Sequence, residues 1–209
     1  MAVPYGPLLV VEDTQHILDL LAVTLRFKGY PVVTAKNGEE ALEKVEEERP
    51  ALIITDILMP RMDGFALMYS LRQNPKTSQI PVVFLSATYI TTEDKEFALK
   101  LGAVRFLVKP IDTAEFLLTI AEILTEGAPP MPPLLSKAEF YHGYRERLEE
   151  KLNEKVHQIS RTERLLQTLS TEQKPAFEAL LVEASEQKKE IQIELDQLFK
   201  ILADEDFDE

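Results

Sequence analysis

The chain contains no cysteine in its 209 residues. A disulfide framework and a thiolate metal site are therefore both excluded. Basic residues are scarce relative to acids: 23 Lys and Arg stand against 36 Asp and Glu, a net charge of −13 spread over the length. Such a balance argues against nucleic acid or an anionic membrane surface as partner, because neither phosphate-rich surface would be neutralised. The first ten residues lack a basic segment and an apolar signal core, and no apolar run approaches membrane-spanning length. A cytoplasmic protein is the expectation. Beyond residue 133 glycine and proline nearly vanish, with Gly143 and Pro175 alone remaining and no strand-like run.

What the chain does have is a 45% hydrophobic content, enough for a real core, and a regular alternation of apolar runs with helical patterns. Leu8-Leu-Val-Val11 reads as a first strand, followed by a helical face of Ile17, Leu18, Leu21 and Leu25 that stops at Gly29. Val32-Val-Thr-Ala35 is the second strand, Asn37-Gly38 a turn, and residues 39–48 a helix with Ala41, Leu42 and Val45 inward. Leu52 to Asp56 is the third strand, broken by Pro60 and Gly64 before a helix over 65–73. Strands at 80–85 and 104–108 follow, with helices at 92–101 and 113–124. Five strands alternating with five helices predict a doubly wound, five-stranded parallel α/β sheet over residues 1–127.

In such a sheet, ligand chemistry gathers at the carboxyl ends of the strands. The first strand ends at Glu12 and Asp13, the third at Asp56, the fourth at Ser86, and the fifth at Lys109. Three carboxylates brought together repel one another unless a divalent cation sits among them. An all-oxygen donor set without His or Cys selects a hard ion, Mg²⁺ above all. A carboxylate oxygen opposite an ammonium and a hydroxyl then makes a phosphate-sized site.

With these strand ends in order, the first half resembles the receiver domain of two-component response regulators. The resemblance implies a flavodoxin-like fold and a phosphoryl group accepted on Asp56 from a histidine kinase or phosphotransfer protein. It implies Mg²⁺ held by Glu12, Asp13, Asp56 and the backbone carbonyl of Leu58. Ser86 stands at the switch-hydroxyl position, Phe106 at the switch-aromatic position, and Lys109 pairs with the phosphate ahead of a cis bond to Pro110. Self-phosphorylation and autodephosphorylation would be its chemistry, without a dedicated enzymatic output. Relatives that dephosphorylate quickly carry a water-orienting amide or acid at positions matching Leu58 and Thr88, so a long-lived phosphorylated state is expected.

Residues 128–135 hold four prolines within Ala128-Pro-Pro-Met-Pro-Pro133 and read as a semi-rigid linker. Residues 136–209 read as an antiparallel helical hairpin, or coiled coil, with an acidic tail. Its second helix carries a heptad-like seam of Phe177, Leu181, Ala184, Ile191, Leu195, Leu198 and Leu202, interrupted by Lys188. The first follows more loosely through Tyr141, Leu148, Leu152, Ile159, Leu166 and Leu169. Such faces point to a homodimer or a downstream protein partner; a hairpin lying back on its own receiver is the other reading. With 11 basic and 18 acidic residues over 136–209, a transcription regulator acting on DNA is disfavoured. A phosphorelay intermediate that passes phosphate to another protein's His stays open.

Overall fold

Strands β1 (Leu8–Val11), β2 (Val32–Ala35), β3 (Leu52–Asp56), β4 (Val82–Ser86) and β5 (Arg105–Val108) form one parallel sheet of order β2-β1-β3-β4-β5. The computed structural model describes residues 6–86 and 92–204. The apolar runs become strands because both faces of a doubly wound sheet are covered. All four residues of β1 and all five of β3 are buried.

Crossovers are supplied by α1 (Gln15–Phe27), α2 (Gly38–Glu47), α3 (Gly64–Gln73), α4 (Thr92–Lys100) and α5 (Thr113–Glu126). Alternation along each strand sorts the side chains between faces. Leu8, Val10, Leu52, Ile54, Val83 and Leu85 pack against Leu18, Leu21 and Leu25 of α1 and Phe116, Ile120 and Ile123 of α5. On the other face Phe84 meets Phe65 of α3 edge-on at 5.4 Å, and Phe65 meets Phe97 of α4 at 5.3 Å. Fully burying each such side chain stabilises the fold by roughly 1.5–3 kcal/mol.

Two segments are more firmly built than the sequence alone suggests. Asn37-Gly38 is not a free turn: Asn37 caps α2, its Oδ1 accepting from the Glu40 backbone N–H at 3.0 Å. Gly38 is the first residue of the helix, and a side chain there would collide with Met62. The proline segment is also more than a spacer, since Met131 packs against the core of the sheet unit. The chain divides into two compact units between Leu135 and Ser136.

The second unit is α6 (Lys137–Thr168) and α7 (Lys174–Asp204). A capping box starts α6: Ser136 Oγ accepts from the Glu139 backbone N–H at 3.2 Å, and the Glu139 carboxylate accepts from the Ser136 N–H at 2.8 Å. A five-residue connection and a bond from Tyr144 Oη to Glu194 Oε1 at 2.9 Å show that the helices run antiparallel. Ala184, Ile191, Leu195 and Leu198 are buried from α7. In α6 the buried residues are Phe140, Tyr144, Leu148, Lys151 and Thr162, so the packed stripe begins at Phe140 rather than Tyr141. Toward the connection burial falls away: Leu152, Ile159, Leu166, Phe177 and Leu181 are half-buried, while Leu165 and Leu180 stay exposed. Among the described residues, no helix is long and apolar enough to cross a membrane.

Candidate functional site

Parallel register delivers the acids to one place. Val11 pairs with Thr55, so the next residues, Glu12 and Asp56, leave their strands side by side. Glu12 is fully buried, Asp56 is 9% exposed, and Asp13 is exposed. Each offers a carboxylate oxygen within 4.8 Å of the others. Lys109, directly after β5, reaches back to Glu12 Oε2 at 2.6 Å and Asp56 Oδ2 at 3.2 Å. Thr14 fixes the two acids that precede it: its N–H donates to Glu12 Oε1 and its hydroxyl to Asp13 Oδ1, both at 3.2 Å.

Burial pushes the Asp56 carboxyl up to about 6, and the Lys109 charge works against this while the neighbouring Glu12 adds to it. Lys109 is held above the usual lysine range; burial opposes the shift, but the Asp56 charge and the Glu12 hydrogen bond outweigh it. The donor set therefore fits a hard divalent cation: all oxygens, close together, and costly to leave as bare charge.

The loop after β3 is tied down on both sides. Gly64 donates its N–H to the Ile57 carbonyl at 2.9 Å, and a Cβ at Gly64 would overlap the Asp56 carbonyl oxygen. Asp63 caps α3 through the Ala66 N–H at 2.9 Å. Arg61 takes a left-handed φ of 68° and pairs with Glu40 at 3.1 Å, while the Met62 carbonyl accepts from Gly38 N–H at 3.0 Å. Leu58 lies within this pinned loop, its side chain 44% exposed. The roles of Asp63, Arg61 and Met62 were not apparent from the sequence; only the Pro60–Gly64 break signalled that a built loop stood there.

Ser86 is the last residue of β4, paired in register with Val108, and its side chain lies outside the described residues, as does Thr88. Phe106 lies within β5, half-buried, its ring 5.9 Å from that of Phe84. The Lys109–Pro110 peptide is cis. The sheet thus brings Glu12, Asp13, Asp56 and Lys109 together and aligns the backbone of Ser86 with them, while Phe106 leans on the core beside Phe84.

Comparisons with known proteins converge on this half of the chain. The chain is 40% identical over 110 residues to a 14.6 kDa protein from the sodA1 3′ region of Leptolyngbya boryana, covering 53% of this chain and 83% of that one. It is 38% identical over 121 residues to the alkaline phosphatase synthesis transcriptional regulatory protein PhoP of Bacillus subtilis. That match covers 56% of this chain and only 48% of PhoP. Among solved structures, the chemotaxis response regulator CheY4 of Vibrio cholerae aligns with a TM-score of 0.54 and 33% identity, over 57% of this chain and 99% of that one. A response regulator from Chloroflexus aurantiacus aligns equally well, with a TM-score of 0.54 and 33% identity over 57% of this chain and 98% of that one. The family model of the response regulator receiver domain matches residues 8–121, more than half of the chain. With the parallel sheet, the acidic strand ends and the lysine after β5 all in place, the chain belongs to the response regulator receiver family.

Proposed function

We propose that this receiver is a Mg²⁺-dependent phospho-switch whose phosphoacceptor is Asp56 and whose output is a protein–protein interaction of the α6/α7 hairpin. The observation that carries the first half is the position of Asp56: nearly buried at the end of the central strand, 3.2 Å from Lys109 Nζ, with Glu12 and Asp13 oxygens within 4.8 Å. An Asp56 carboxylate oxygen forms the new P–O bond as the bond from phosphorus to the donor's imidazole nitrogen breaks, and the imidazole keeps that electron pair. Phosphoryl transfer asks the protein chiefly for positioning and charge neutralisation. Glu12, Asp13, Asp56 and the Leu58 carbonyl would hold Mg²⁺, which when bound offsets the negative charge of the transferring group. Lys109 neutralises a phosphoryl oxygen from the other side, Ser86 donates to another, and Phe106 follows by repacking against Phe84. The donor is a phosphorylated His of a histidine kinase or phosphotransfer protein.

The output reading rests on the hairpin. Two helices bury only one side of each other, and here Leu165 (39% exposed) and Leu180 (46%) remain in water beside half-buried Leu166, Phe177 and Leu181. A second hairpin closing a four-helix bundle covers them. Similarity to PhoP, a transcriptional regulator, spans under half of that protein, and residues 136–209 carry a net charge of −7. That charge disfavours a DNA-binding output. The test is intact mass after incubation with acetyl phosphate and Mg²⁺. Wild type should gain one phosphate and Asp56→Asn none; equal labelling of the variant rejects the assignment.

A further inference from the structure

A cavity of about 220 Å³ lies at the amino edge of the sheet, at the end of the strands away from the acidic cluster. Its lining includes Arg72, Gln79, Lys100, Met131, Pro132 and Leu134. Arg72 is 8% exposed, yet among the described residues its partners are neutral carbonyls. Its Nε donates to Leu101 O (3.3 Å), Nη1 to Ser78 O (2.8 Å) and Ile80 O (3.0 Å), and Nη2 to Gly102 O (3.2 Å). These bonds use four of the five guanidinium N–H groups and leave one on Nη2. Burial lowers its pKa to about 10, so the group is still charged at neutral pH. Among the described residues no carboxylate pairs with Arg72 or with Lys100.

Each cation stands in the last turn of its helix, where the helix dipole favours it, and this accounts for its location. It does not balance the charge. A buried cation without a counter-ion is costly, and Arg72 is one; Lys100, on the rim of the same cavity, is exposed. Beside the polar Ser78 and Gln79, the rest of the wall is apolar, formed by Leu101 and the segment from Met131 to Leu135. Gly102 takes a left-handed φ of +92° that disfavours any side chain, and a Cβ there would crowd Pro132 Cδ at 3.0 Å and Met131 Sδ at 3.3 Å. Prolines hold that wall with little conformational freedom left to lose.

We infer that this cavity is a binding site for a small organic carboxylate, its head between Arg72 and Lys100 and its short apolar body against Met131, Pro132 and Leu134. The cavity falls below the ~300–1,000 Å³ usual for drug-sized ligands, so the occupant has only a few carbons. The site is independent of the Asp56 chemistry. Its proline wall leads within a few residues into the Ser136 cap of α6, so occupancy holds the segment from which the hairpin departs.

The test is a ¹H–¹⁵N titration of the full chain with sodium butyrate at constant ionic strength, with butyramide as the uncharged control. Saturable shifts at Lys100, Gly102 and Met131 with Kd of about 1–10 mM are expected for so small a ligand, and none with butyramide. Replacing Arg72 would release four carbonyls and confound binding with folding, so Lys100→Gln and Leu134→Asp are the informative variants. Lys100→Gln should weaken butyrate about tenfold, the scale of one charge-assisted hydrogen bond, and Leu134→Asp should abolish binding. Asp56→Asn should bind as wild type does. The inference is overturned by shifts that do not saturate, by equal shifts with butyramide, or by undiminished affinity in both wall variants.

Discussion

Lys109 Nζ lies 2.6 Å from Glu12 Oε2 but 3.2 Å from Asp56 Oδ2, so the ammonium is held more closely by the acid after β1 than by the acid of the central strand. A divalent cation must share those carboxylates with it. At an effective dielectric of ~20, unit charges ~4 Å apart interact by about 4 kcal/mol, so the competition is appreciable. Lys109→Met should therefore raise Mg²⁺ affinity about three- to tenfold by calorimetry while slowing phosphorylation of Asp56 by acetyl phosphate. Weaker Mg²⁺ binding in the variant would mean that the lysine orders the carboxylates instead of competing for them.

The raised Asp56 pKa carries a stability consequence whose sign is fixed. The group titrates near 3.8 as an ordinary Asp and at about 6 in the fold. A carboxyl with a raised folded-state pKa favours folding at low pH, and that contribution is lost as pH climbs through about 6. In EDTA, Asp56→Asn should show a smaller decline in stability across about pH 4–6. Near neutral pH it should be the more stable protein by about 2–3 kcal/mol. Thermal unfolding of both proteins across that range decides it; parallel curves would remove the argument.

Dephosphorylation should be slow. Leu58 offers no hydrogen bond to an attacking water, and water left unoriented meets the full entropic barrier at each attempt. Leu58→Asn should shorten the lifetime of phosphorylated Asp56 several-fold, followed by loss of the added mass with time. The exposed Leu58 side chain makes the substitution inexpensive in stability.

Leu195 is only 2% exposed within a single hairpin, so charging it would damage the hairpin itself. Leu165 and Leu180 make the better test of self-association, being exposed on the two helices near their connection. Leu165→Glu with Leu180→Glu should convert a dimer to a monomer in sedimentation at micromolar concentration and leave helical circular dichroism unchanged. A wild-type protein that is already monomeric, phosphorylated or not, would leave a different protein as the hairpin's partner.

The positions of Glu12, Asp13, Asp56 and Lys109 were legible because parallel strands finish together, and an apolar run ending in an acid marks both strand and site. Helix existence was legible from spacing, with ends off by only a residue or two. Arg72 was not legible: its partners are backbone carbonyls up to 30 residues away, which leave no residue-type signature. The cap role of Asn37 was hidden because Asn-Gly reads equally as a turn until Met62 is seen to fill the space over Gly38. In the hairpin, rotation of α6 is set by what α7 presents, so Phe140 and Tyr144 turn inward where a lone heptad count selects Tyr141.

The ladder that runs from Val11–Thr55 through Asp56–Leu85 to Leu85–Leu107 acts as a caliper for the acidic site. Its jaws are set by hydrogen bonds between strands, and the connections at the far edge do not enter the measurement. Lengthening the turn at residues 28–31 should thus leave the Glu12–Asp56 spacing untouched. Inserting one residue within β3 would swing Asp56 to the opposite face of the sheet, away from Lys109.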